Sequence, residues 1–192
     1  AVEKGAVALL VERELALPVP QVVVEDVRTA LSYAAAAFYG HPAMRVRLIG
    51  ITGTKGKTTT SFLLKSIFEE AGCKVGLIGT VCSMIGDEAI PSELTTPDPI
   101  ETQALLKKMA DADCEFVIME VSAHALYLRK LVGVVFEAAA YTNLSQDHLD
   151  FFGTMENYLA GSFGLFQGYG CVFCGENAFL YARNGREYRL QC

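Results

Sequence analysis

Along the middle of the chain, short apolar runs of strand length alternate with longer stretches of mixed character in which apolar positions recur at helical spacing. Arg45 to Gly50 predicts a strand that runs into a glycine-rich loop. Lys57 to Ala71 predicts a helix with Phe62, Leu63, Leu64, Ile67 and Phe68 grouped on one face and Gly72 as its stop. Lys74 to Gly79 reads as the next strand, and Val81 to Pro91 as a hairpin around Gly86 and Asp87. The loop Thr95-Thr96-Pro97-Asp98-Pro99 opens a helix from Ile100 to Ala112, and Phe116 to Val121 is a buried strand. Ser122 starts a further helix, Val134 to Thr142 is another strand, and Thr154 caps a helix from Met155 onward. Strand and helix in alternation predict an α/β fold, a mostly parallel sheet flanked by helices.

The two ends read differently. Gly5 to Val11 and Val19 to Val24 are apolar runs, the second interrupted by Pro20. Asp26 is an N-cap for an Ala-rich helix from Val27 to Phe38, which Gly40-His41-Pro42 ends. This segment begins inside an element, so residues 1–42 are expected to be the end of a small N-terminal α/β domain and 43–192 a second unit. After Ala160, glycines at 161, 164, 168 and 170 interrupt the helical pattern. Gly170 to Cys174 reads as a strand, and Gly175 to Cys192 yields no element. The chain contains no internal repeat.

Composition narrows the function. With 192 residues, 52% of them hydrophobic, the chain can bury a sizeable core. A net charge of −6 argues against general nucleic-acid binding, which needs basic surfaces, but leaves room for a small anionic ligand held by a few local donors. No basic-then-apolar leader follows Ala1, and no apolar run is long enough to span a membrane. The expected setting is a reducing cytosol with free thiols for the six cysteines. Cys171 and Cys174 form a lone CxxC without the second pair that a structural zinc site needs, so they read as half-buried strand cysteines.

The strongest chemical signal is Gly53-Thr54-Lys55-Gly56-Lys57-Thr58-Thr59, set between a predicted strand and a predicted helix. Glycines let backbone N–H groups turn toward phosphates, and a helix N-terminus adds unpaired donors and partial positive charge. Lys57 would reach the β- and γ-phosphates of a nucleotide, and the Thr58 hydroxyl would ligate magnesium. Ile51 stands where the eight-residue pattern has its first glycine, and Gly50 lies one place too early.

The loop of form TGT-x-GKTT over Thr52 to Thr59 resembles that of the Mur ligases, which build the peptidoglycan stem peptide at the expense of ATP. Three further blocks carry the resemblance in the same order: Thr95-Thr96-Pro97, Met119 to Leu126, and Thr142 to Asp150. Within the family the chain resembles the members that add a diamino acid, lysine or diaminopimelate, to UDP-N-acetylmuramoyl-L-alanyl-D-glutamate. The resemblance runs from residue 1 to about 160. It implies that 1–42 end a uridine-nucleotide-binding domain, that 43–192 are part of the central ATP-binding domain, and that a C-terminal domain is absent. It further implies phosphorylation of a carboxylate to an acyl phosphate, then attack by an amine. Lys57, Glu120 and His148 are its implied catalytic residues, and Thr58, Glu120 and His148 its magnesium ligands. Gly53 to Thr59 with Asn143 would hold the nucleotide, and Thr95, Thr96, Ser122 and Lys130 the UDP-sugar-peptide. Taken alone, Thr95-Thr96-Pro97 is also a turn before a helix, Ser122 an N-cap, and His148 a surface loop residue.

The chain departs from the family pattern in places. Ser162 stands where the family has a lysine that is carbamylated and bridges the metal ions, and serine has no amine to carbamylate. Phe152 replaces a histidine, Lys130 a substrate-contacting arginine, and Leu128 a glutamine. Three other readings stand beside the ligase: a catalytically inactive ATP-binding module, a related folate polyglutamate or cyanophycin synthetase, and a generic P-loop kinase.

Overall fold

The computed structural model of the chain describes residues 1–164, 172–174, 179–182 and 186–189. Its centre is a seven-stranded sheet made from β3 (Arg47–Thr52), β4 (Val75–Ile78), β5 (Cys82–Ile85), β6 (Glu88–Pro91), β7 (Phe116–Glu120), β8 (Ala138–Tyr141) and β9 (Val172–Cys174). The order is β6-β5-β4-β7-β3-β8-β9. Strands β4, β7, β3, β8 and β9 pair in parallel, while β5 and β6 continue the sheet as an antiparallel hairpin. Helices α2 (Lys57–Glu70) and α3 (Pro99–Asp111) cover opposite faces. Short helices α4 (Ala123–Tyr127) and α5 (Leu149–Phe152) and the longer α6 (Met155–Phe163) follow the strand ends.

Burial on both faces explains the continuous apolar runs. All five residues of β7 are buried, and their side chains alternate between two cores. Phe116 and Ile118 join Ile51, Val75 and Leu77 under α2; Val117 and Met119 join Leu48, Ile78 and Leu106 under α3. Parallel pairing sets Ile51 level with Glu120 and Ala140, and Thr52 level with Tyr141. The loops that leave β3, β4, β7 and β8 therefore meet at one sheet edge, where open α/β sheets bind their ligands.

Residues 1–42 form a separate two-stranded parallel sheet from β1 (Leu9–Val11) and β2 (Gln21–Val23), then α1 (Val27–Phe38). Asp26 caps α1 as expected, its Oδ1 accepting from Thr29 N at 2.6 Å. Helix α1 packs on α3, and Ser32 Oγ donates to Arg129 O at 2.9 Å.

Several expectations need correcting. Leu63 and Ile67 do not share the inner face of α2: they are 60% and 61% exposed, while Ser61 and Lys65 are buried. The two exposed residues lie one turn apart on the outer side, and the inner stripe turns polar at its N-terminal end because it faces Glu120. Strand β3 runs over 47–52, not 45–50, since Thr52 still pairs with Tyr141. Strands β1 and β8 are shorter than their apolar runs; Val134 and Phe136 are buried but precede β8. Gly161 does not break α6. A Cβ there would lie 2.9 Å from Phe152 Cε1, so glycine lets α5 pack close. Beyond residue 175, β10 (Phe179–Ala182) and β11 (Arg186–Arg189) pair antiparallel, strands too short for a periodic signal. Cys171 lies outside the described residues. Among the described residues no helix is long and apolar enough to cross a membrane.

Candidate functional site

Between β3 and α2 the chain turns through two glycines. Gly53 has φ +124° and Gly56 φ +82°, both left-handed conformations that favour glycine. Gly53 also passes so close to the loop after β8 that a Cβ would overlap Thr142 Oγ1 and stand 2.9 Å from Asn143 O. That loop braces the turn from outside. Asn143 O accepts from Thr54 N at 2.9 Å, Asn143 Oδ1 accepts from Lys55 N at 3.0 Å, and Asn143 Nδ2 donates to Lys55 O at 2.9 Å. Thr142 Oγ1 donates to Lys55 O at 2.6 Å.

Helix α2 then starts without a side-chain cap at Gly56, as α3 and α5 do at Asp98 and His148, whereas Asp26, Ser122 and Thr154 cap α1, α4 and α6. Its first-turn N–H groups, among them those of Thr58 and Thr59, therefore face the turn as orphan donors with the positive end of the helix dipole. Lys57 Nζ folds back onto the turn, donating to Gly53 O at 2.7 Å and Thr54 O at 3.1 Å. Burial holds its pKa below that of a free lysine, while the carboxylates of Glu120 and Asp147 oppose the shift.

Glu120 ends β7 and is fully buried. Its Oε2 accepts from Thr58 Oγ1 and Thr80 Oγ1, both at 2.9 Å; its Oε1 accepts from Ser61 Oγ and Thr80 N, both at 3.3 Å. A Cβ on Gly79 would overlap this carboxylate. A hydroxyl and a carboxylate side by side at a helix N-terminus are the hard oxygen donors that magnesium takes.

Beside it, Thr96 is buried and fully bonded: its Oγ1 donates to Glu120 O at 2.9 Å and accepts from Ser122 N at 3.0 Å. Ser122 caps α4 through Ala125 N at 3.2 Å. Thr95 is half-buried and 3.0 Å from Thr80 Oγ1. Lys130 pairs with Asp98 at 2.7 Å.

His148 sits half-exposed with φ +52° and stacks edge-on against His124 at 4.7 Å. Burial, and next the His148 ring, push the His124 pKa down. Tyr158 of α6, 5.9 Å from the His148 ring, donates its hydroxyl to Thr54 Oγ1 at 3.1 Å. Ser145 N donates to the same oxygen at 3.0 Å. Tyr158 thus ties α6 to the turn. Tyr158→Phe removes one of these donors without opening a cavity, for a loss of ~1 kcal/mol. The expected result is a melting temperature lower by roughly 2–4 °C; an unchanged melting curve would show that the hydroxyl holds nothing. Ser162 is buried and donates to Tyr158 O at 3.0 Å within its own helix.

The structure therefore brings Lys57, Thr58, Glu120, Asn143, Thr95, Thr96 and Ser122 to one edge, with His148 on the neighbouring loop. Lys55 contributes its backbone, and its position is exposed. Sequence reasoning missed Thr80, Ser61, Thr142 and Tyr158. The legible signals were Gly79-Thr80 at the end of a predicted strand and Thr142 at the head of the block Thr142 to Asp150.

Known proteins similar to this chain are of one kind. A UDP-N-acetylmuramoyl-L-alanyl-D-glutamate--2,6-diaminopimelate ligase of Geobacillus thermodenitrificans is 51% identical over 158 residues, 82% of this chain and 32% of the relative. The ligase of the same name from Bacteroides fragilis is 51% identical over 162 residues, 83% of this chain and 33% of the relative. A solved structure of a ligase of that name superposes with a TM-score of 0.77 at 30% identity, over 90% of this chain and 36% of that one. The chain spans about a third of the length of these relatives. Residues 51–177 match the family model described as the Mur ligase middle domain, and the chain belongs to the Mur ligase family.

Proposed function

We propose that this chain is the ATP- and magnesium-binding part of a ligase that joins a diamino acid to UDP-N-acetylmuramoyl-L-alanyl-D-glutamate. The observation that carries the reading is the uncapped start of α2 inside a braced glycine turn, with Thr58 and Glu120 2.9 Å apart beside it. The cradle fits a polyphosphate, and the paired oxygens fit magnesium. ATP would supply one piece of chemistry there, a phosphoryl group that turns a poor carboxylate electrophile into an acyl phosphate open to an amine.

The chain's own residues divide the remaining work. The turn and the first N–H groups of α2 hold the phosphates, and Lys57 leaves the carbonyls of Gly53 and Thr54 to neutralise them. Thr58 and Glu120 hold the cation. Thr95 and Lys130 face the sugar-peptide, whereas Thr96, with its hydrogen bonds filled internally, acts as the brace that holds Ser122 to the end of β7. His148 and Asp147 stand on the loop after β8, and the Asp147 carboxylate favours the charged Lys57 ammonium. Residues 1–42, with their own small sheet, belong in this reading to the preceding uridine-nucleotide domain, and the cytosol is the setting. The names of the relatives favour diaminopimelate as the added residue.

Calorimetry with ATP and magnesium tests the reading. Removing one partner of a buried charge contact costs ~2–5 kcal/mol, so Lys57→Ala should weaken ATP by about 30-fold or more. Unchanged affinity would refute the assignment of the turn.

A second reading, a nucleotide-binding module without ligase turnover, is favoured by Ser162, a buried hydroxyl bonded to its own helix. Phosphate release that depends on the muramyl-dipeptide nucleotide separates the two.

A further inference from the structure

One residue touches both oxygens of the buried Glu120 carboxylate. Thr80 gives its amide to Oε1 at 3.3 Å and its hydroxyl to Oε2 at 2.9 Å. It leaves the end of β4 directly after Gly79, where only glycine lets the backbone pass so near the carboxylate. The same hydroxyl lies 3.0 Å from Thr95 Oγ1, on the loop before α3.

Hydrogen-bond polarity orders this chain of contacts. A hydroxyl has one proton, and a carboxylate ringed by donors can only accept. The Thr80 proton therefore points at Glu120, and the contact with Thr95 is made by Thr95 donating to Thr80. The order is Thr95 to Thr80 to Glu120. With its proton engaged, Thr95 has lone pairs left to offer a ligand.

We propose that Thr80 is a positioning residue that joins the two halves of the site. It clamps the carboxylate that holds the cation, and through Thr95 it ties that carboxylate to the loop facing the second substrate. Thr95 accordingly accepts from an N–H or O–H of that substrate; it does not donate to a carboxylate or phosphate. Cation binding at Glu120 and occupancy at Thr95 are then coupled, and the coupling works in both directions. The inference rests on the nucleotide reading given above.

Two measurements on the full chain test it. The first is the magnesium concentration that half-saturates nucleotide binding, read by calorimetry with ATP. Residues that orient metal ligands change metal affinity by about 10–100-fold when lost, so Thr80→Val should raise the magnesium requirement about tenfold or more. Thr80→Ser, which keeps the hydroxyl, should restore it to within about twofold of the parent. Thr95→Val should raise it less, and the double variant should be no worse than Thr80→Val alone, as expected for one connected chain. A residue that merely supports the fold would lower the melting temperature and leave the magnesium requirement at the parent value, which would overturn the proposal. Should Thr80→Val fail to fold, Thr95→Val decides the same point: a parent-like magnesium requirement overturns it.

The second measurement uses no nucleotide. In a melting cycle of Thr80→Val, Thr95→Val and the double variant, shifts that do not add support the hydroxyl pair, and additive shifts overturn it. Absence of nucleotide binding in the parent would sink the nucleotide reading by itself, and the melting cycle would still judge the Thr95–Thr80 link.

Discussion

Gly53→Ala is expected to abolish detectable ATP binding and to lower the melting temperature by roughly 4–12 °C, taking ~2–3 kcal/mol of strain and overlap at about 2–4 °C for each. Two causes act together. At φ +124° an L-residue is strained wherever it stands. The added Cβ would also overlap Thr142 Oγ1 and lie 2.9 and 3.0 Å from the backbone O and N of Asn143. Backbone cannot rotate away as a side chain can. The loop is further pinned by Thr54 N to Asn143 O at 2.9 Å and by both polar atoms of the Asn143 amide on Lys55. The turn must therefore open, and its N–H groups leave the positions that face the phosphates. Gly56→Ala is the control. Its φ of +82° carries strain, but a Cβ there meets nothing within 4 Å. It should cost about 1–2 kcal/mol and keep measurable binding. A Gly53→Ala chain that binds ATP like the parent would sink the close-approach argument.

Glu120→Gln should remove the magnesium dependence of nucleotide binding while leaving most of the fold intact. The side chain keeps its shape, but one oxygen that accepts hydroxyl donors becomes an amide that donates. Glu120 is fully buried, and Thr58 and Thr80 both direct hydroxyl protons at it, while Ser61 shares its proton between Glu120 and Thr58 O. One mismatched donor costs ~1–3 kcal/mol, or a drop of roughly 2–12 °C. Loss of the negative charge takes away the group proposed to hold the cation beside Thr58. Glu120→Ala is the harsher change, because it adds a cavity and strands several hydroxyls. An unaltered magnesium titration in Glu120→Gln, with the protein folded, would show that the cation does not use this carboxylate.

Much of the site was legible because its determinants are local. Gly53 to Thr58 is a contiguous stretch whose backbone and side chains build one turn. The caps Asp26, Ser122 and Thr154 each accept an N–H three residues on, and all three were read correctly. Strand β7 was legible because burial on both faces leaves an unbroken apolar run closed by Glu120. The inner face of α2 was misread for a related reason. Apolar residues on a helix usually mark the core side, but here the N-terminal part of that side meets a carboxylate, and Leu63 and Ile67 turn outward.

What the sequence by itself determined is the order of elements, the phosphate turn, the helix starts and the family. Each follows from interactions within a few residues or from a motif read in a line. What only the tertiary structure decided is which groups surround Glu120 and what holds the turn. Thr80 meets Glu120 across 40 residues, Asn143 meets Lys55 across 88, and Tyr158 meets Thr54 across 104. Parallel pairing of β4, β7, β3 and β8 brings those strand ends level, and register across a sheet is set by the packed whole, not by any one segment of the chain.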